Sequence, residues 1–104
     1  MRELSPNELR IELAGTAHVI LDVREPWEFE VCQIPGSINI PLNEIPMRLS
    51  QLSTMLPIVA VCHHGMRSEY AVHFLLGQGF SEVANLTGGI DRWARELDPA
   101  MTRY

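Results

Sequence analysis

Apolar residues in this chain fall into short runs broken by charges, prolines and glycines, and each run predicts an element. His18-Val19-Ile20-Leu21-Asp22-Val23 and Ile58-Val59-Ala60-Val61-Cys62 are continuous, β-branched and too short for helices, so both predict strands buried on two faces. Ser37-Ile38-Asn39-Ile40, closed by Pro41, and Val83 to Leu86 predict two more. Between them the period changes. Ser5, Pro6 and Glu8 form a capping box with Leu4 and Leu9 placed as a staple, predicting a helix from Pro6 to about Ala14 with Gly15 as its stop. Arg24 to Glu30 predicts a loop and a helical turn that starts at Pro26, followed by a turn at Ile34-Pro35-Gly36-Ser37. Asn43 predicts the cap of a helix through about Leu52, with Pro46 in its first turn. Tyr70, Ala71, Phe74 and Leu75 share one face of a helix ended by Gly77 and Gly79, and Ile90 to Arg95 form a last helix after Gly88-Gly89. This alternation predicts an α/β fold, a parallel sheet with helices on both faces.

Composition agrees and excludes several functions. The chain of 104 residues makes one domain, with 46% hydrophobic and 20% charged residues and no repeat, linker or low-complexity segment. Eight arginines and no lysine exclude a Walker A loop and any lysine Schiff base. A net charge of -5 argues against nucleic acid as a partner. No apolar run is long enough for a membrane, and residues 1–6 lack the apolar core of a secretory signal, so a cytoplasmic protein is expected, monomeric or weakly dimeric.

Cys32 and Cys62 match neither a redox pair nor a zinc site. Cys62 has the more telling context, for it ends the most apolar strand, and ligands in open α/β sheets bind beyond the strands' carboxyl ends. The loop His63-His64-Gly65-Met66-Arg67 then leads into a helix. Successive backbone N–H groups at such a junction form an anion cradle, and a helix N-terminus with a nearby Arg67 favours a thiolate. Arg67 suits two roles equally, orienting an anionic donor or pairing with a carboxylate. His63 and His64 are expected to point apart, as neighbours in a tight loop do, so no metal site or cofactor is expected. They are expected instead to face an acceptor and set its selectivity. Cys32 is expected to fill a gap rather than to act as a resolving thiol, with nothing near it to activate the sulfur, and Trp27, Phe29 and Trp93 to serve core or loop packing.

The blocks Asp22-Val23-Arg24-Glu25, Phe29-Glu30, Ile34 to Pro41, Cys62 to Ser68, Gly79-Phe80 with Val83 and Leu86, and Gly88-Gly89 with Trp93 together strongly resemble a single rhodanese domain. The likeness runs from about residue 4 to residue 97 and departs from the family at Cys32-Gln33, where Gly-His is usual. It implies a three-layer fold with about five mainly parallel strands, and a sulfurtransferase. Cys62 would take a sulfane sulfur from thiosulfate or a protein persulfide and pass it to cyanide, a thiol or a sulfur-carrier protein. The persulfide would lie within the amides of His63, His64, Gly65, Met66 and Arg67, with Asp22, Arg24 and Ser68 behind. The loop also resembles those of rhodanese modules attached to adenylating enzymes. Two other functions occur on this fold: a non-catalytic docking or regulatory module, which often lacks the loop cysteine, and a phosphatase or arsenate reductase, whose related loop is one residue longer than Cys62 to Arg67.

Overall fold

The computed structural model describes residues 1–104. In chain order the elements are β1 (Arg2–Leu4), α1 (Pro6–Gly15), β2 (Val19–Asp22), α2 (Pro26–Val31), β3 (Ile38–Asn39), β4 (Ile58–Val61), α3 (Met66–Gly77), β5 (Val83–Leu86) and α4 (Gly89–Leu97). The five strands lie in the order β1-β5-β4-β2-β3, and every pairing is parallel. The mainly parallel sheet expected from the sequence is thus wholly parallel, with β4 at its centre.

Side chains of a strand alternate between faces, and here both faces are covered, so each strand reads as a continuous apolar run. Ile58 and Ala60 of β4 and Leu21 of β2 pack with Ala71, Val72 and Leu75 of α3. Val59 and Val61 turn the other way and pack with Leu9 of α1 and with Ile90 and Trp93 of α4. The capping box forms as read: Ser5 Oγ accepts the Glu8 N–H at 3.1 Å, and Glu8 returns the bond to the Ser5 N–H at 2.8 Å.

Four expectations are corrected. Residues 2–4, given no element by the sequence, form edge strand β1, whose three residues are too few to show a period. Asn43 to Leu52 is not an α-helix but two 3-10 turns, Leu42–Met47 and Leu49–Gln51. The turn starts at Leu42, earlier than expected, so Pro46 falls past its first turn, where the missing N–H and the ring's crowding of the Leu42 carbonyl stop an α-helix from propagating. Tyr70 lies outside the buried stripe of α3, which is Ser68, Ala71, Val72 and Leu75; two positions from Ser68 and from Val72, it faces solvent. Strand β4 ends at Val61, leaving Cys62 as the first residue past the sheet.

Candidate active site

Cys62 leaves the central strand at its carboxyl end, 1% exposed, at the floor of a cleft of about 350 Å³ lined also by His63, His64, Met66 and Arg67. Its Sγ faces two donors, the Gly65 N–H at 3.0 Å and the Ser68 hydroxyl at 3.3 Å. Gly65 can present that N–H because it caps α3 with φ +114°, a left-handed conformation that side chains resist. The N–H groups of His63 and His64 have no backbone acceptor, and those of Met66 and Arg67, in the first turn of α3, have none within the helix. Four N–H groups of the loop are thus left without a backbone acceptor.

The loop is braced from two sides. From α4, Ile90 donates to the Cys62 carbonyl at 2.8 Å and Asp91 to the His63 carbonyl at 3.1 Å, turning those oxygens away from the cradle. This approach requires Gly89, because a Cβ there would stand 2.3 Å from the His63 oxygen. From β5, Asn85 donates to the Gly65 carbonyl at 3.1 Å, and its oxygen shares the single Ser68 hydroxyl proton with the Cys62 sulfur.

Arg67 is engaged: Nη1 and Nη2 meet the two oxygens of Glu28 at 2.6 and 2.9 Å. Of the two roles open to Arg67, the structure contains the carboxylate pair. Arg67 and then Tyr104, which donates to Glu28 at 2.6 Å, hold the buried Glu28 carboxyl down to about 2. Arg24 is fully buried and donates to Asp22 through three short bonds and to the Tyr104 oxygen at 2.9 Å. Burial opposes its charge, yet the bonds with Asp22 and Tyr104 raise its pKa. Burial, together with the bond to Glu28, pushes the Tyr104 hydroxyl up to about 12.

Other expectations fail here. His63 and His64 do not point apart; their ring centroids are 4.0 Å apart, and Tyr104 stacks on the other side of His63 at 4.1 Å. Burial and then the His64 charge lower the His63 pKa. Cys32 does have a cationic neighbour, Arg24 Nη1 at 3.8 Å. Trp27 is largely exposed and meets Tyr104 edge-on, whereas Trp93 packs in the core. Sequence reasoning did not single out Glu28, Asn85, Asp91 or Tyr104. Only Asn85, a polar residue inside an apolar strand, carried a local signal.

The largest groove, about 710 Å³, opens at the opposite pole beside Arg2, Glu12, His18 and Glu82. It holds a Glu12 carboxylate shared by Arg2 and His18, far from the strands' carboxyl ends.

Comparison with known proteins decides the family. The model of the rhodanese-like domain matches residues 5–96. The chain is a member of the rhodanese-like sulfurtransferase family. It is similar to a sulfurtransferase of Allochromatium vinosum, 38% identical over 96 residues that cover 91% of this chain and 90% of that protein. Thiosulfate sulfurtransferase GlpE of Pseudomonas syringae is 36% identical over 88 residues, 85% of this chain and 83% of GlpE. Some relatives are longer: the chain spans 24% of the adenylyltransferase and sulfurtransferase MOCS3 of Drosophila ananassae, at 32% identity over 97% of this chain. A rhodanese-related protein of Thermoplasma volcanium superposes with a TM-score of 0.86 at 34% identity, covering 93% of this chain and 94% of that one.

Proposed function

We propose that this rhodanese-like protein is a persulfide-forming sulfurtransferase with Cys62 as its catalytic residue. The observation that carries the reading is the Cys62 sulfur at the floor of an open cleft, facing the Gly65 N–H at 3.0 Å and the Ser68 hydroxyl at 3.3 Å. The Cys62 thiolate attacks the sulfane sulfur of thiosulfate, forming the S–S bond of a persulfide as the bond to sulfite breaks. Sulfite leaves with the electron pair. An acceptor nucleophile, cyanide or a thiol, then attacks the terminal sulfur and releases the Cys62 thiolate, so no external oxidant or reductant enters. A protein persulfide serves as donor in the same way, and a sulfur-carrier protein is a further acceptor class.

The negative terminal sulfur needs donors already in place, because preorganised dipoles in a partly desolvated site stabilise charge more than mobile water does. The unengaged N–H groups of His63, His64, Met66 and Arg67 supply them, and Gly89 keeps the neighbouring carbonyls turned away. Asp22, Arg24, Glu28 and Tyr104 act behind the loop by fixing Arg67 and the ring of His63.

Intact-mass measurement after incubation with thiosulfate tests the reading. The protein should gain one sulfur atom, Cys32→Ser should retain the gain, and Cys62→Ser should lose it. Absence of any gain, from thiosulfate and from a cysteine-desulfurase donor alike, would sink the proposal in favour of a docking module. Turnover of a phosphoryl ester without sulfur loading would favour a phosphatase.

A further inference from the structure

Two imidazoles and a carboxylate meet at the rim of the Cys62 cleft. One ring nitrogen from each of His63 and His64 and one oxygen of Asp91 lie within 4.8 Å of one another. Neither ring makes a hydrogen bond with any protein group, although the two rings are in contact. We propose that His63, His64 and Asp91 form a binding site for a borderline first-row divalent cation such as Zn2+, beside the Cys62 loop.

The backbone supporting this cluster is already fixed. The Asp91 N–H donates to the His63 carbonyl at 3.1 Å, and Gly89 lies so close to His63 that α4 and the loop behave as one unit. The first turn of α4 therefore sets its carboxylate opposite the two histidines. Stacking on Tyr104 at 4.1 Å restrains the His63 ring, and Arg103 and Arg95 orient the Asp91 carboxylate at 3.1 and 3.3 Å. Orienting partners of this kind are a regular part of metal sites. An ionised carboxylate has about four acceptor positions; Arg103, through Nε at 3.2 Å and Nη2 at 3.1 Å, and Arg95 fill three of them, which leaves one for a metal.

Two nitrogens and one oxygen suit zinc and its neighbours, whereas calcium and magnesium prefer all-oxygen sites. Bonds of about 2.0–2.1 Å in a tetrahedron place donor atoms about 3.4 Å apart, so the cluster must close slightly. His64, which is exposed, has the freedom to do so. Three protein ligands leave a fourth position for water or an anion. Both histidines line the same cleft as Cys62, where Arg67 is already neutralised by Glu28. A bound cation would place a further positive charge beside the Cys62 loop.

The binding test needs no sulfur chemistry, so its result is separate from that of the proposed function. Tag-free Cys62→Ser protein is titrated with Co2+, read by visible absorption, and with Zn2+, read by calorimetry. A single equivalent should bind. Affinity should fall by at least about tenfold when His64→Ala or Asp91→Asn is added to that background. Absence of binding to Cys62→Ser overturns the proposal, as does undiminished binding in either double variant. Exposure of His64 and its lack of hydrogen bonds make that variant safe for folding, which a thermal melt checks.

Discussion

Replacing Glu28 by Gln isolates the charge that anchors Arg67. The Glu28 side chain is only 5% exposed, and its carboxyl is held at about 2 against an ordinary 4.5. Gln resembles the protonated acid in shape, so Glu28→Gln should destabilise the protein by about 3 kcal/mol at pH of about 7, taking ~1.4 kcal/mol per unit of depression. The sign follows from the direction of the shift. A depressed folded pKa stabilises the native state above the unfolded value, and this contribution is lost as pH falls through 4.5 towards about 2. By a pH of about 3.5 the gap between wild type and variant should have narrowed by about 1.4 kcal/mol. Urea unfolding of both proteins at the two pH values measures it. An equal gap at both would assign the loss to packing and not to the carboxylate charge.

Three further substitutions probe the brace around the loop. Ser68→Ala removes the hydroxyl whose proton Cys62 shares with Asn85 and should slow alkylation of the thiol by iodoacetamide on the order of tenfold, since bonds to charged groups contribute about 1.5–3 kcal/mol. An unchanged rate across pH would show that the hydroxyl serves Asn85 alone. Tyr104→Phe keeps the ring on His63 but deprives the buried Arg24 of an acceptor and Glu28 of a donor. It should cost about 1–3 kcal/mol in urea unfolding, and no loss would deny the bridge any role in stability. Gly89→Ala forces a Cβ onto the His63 carbonyl, whereas Gly79→Ala, at φ +95°, meets nothing within 4 Å. The first should lose at least about 2 kcal/mol more than the second and fail to load sulfur; equal losses would show that backbone strain alone is at work.

Elements whose cause is local were legible in the sequence: the capping box at Ser5 and Glu8, the apolar runs of β2 and β4, and the glycine-bearing loop after Cys62. Each rests on residues a few positions apart. What stayed hidden depends on distant partners. Edge strand β1 exists only because β5 offers it a ladder, with Leu4 opposite Leu86. The 3-10 turns near Pro46 reflect a competition that spacing alone did not resolve. Contact between His63 and His64 contradicts the expectation for neighbouring residues because α4 grips the His63 backbone from 28 positions away, at Asp91.

The same distinction explains why the two roles of Arg67 could not be separated by sequence. A guanidinium two residues past a loop glycine serves an anion or a carboxylate equally well, and the choice belongs to Glu28, 39 positions earlier. With that pair formed, and Arg24 committed to Asp22 and Tyr104, neither guanidinium behind the loop remains unpaired. On the proposed function, recognition of an anionic donor by a chain of net charge -5 then rests on the loop's amide dipoles, which act only at short range, and on the Arg67 N–H groups that Glu28 leaves free. On that proposal specificity lies in the conformation of Cys62 to Arg67 itself, which Gly65, Gly89 and Asn85 hold in place.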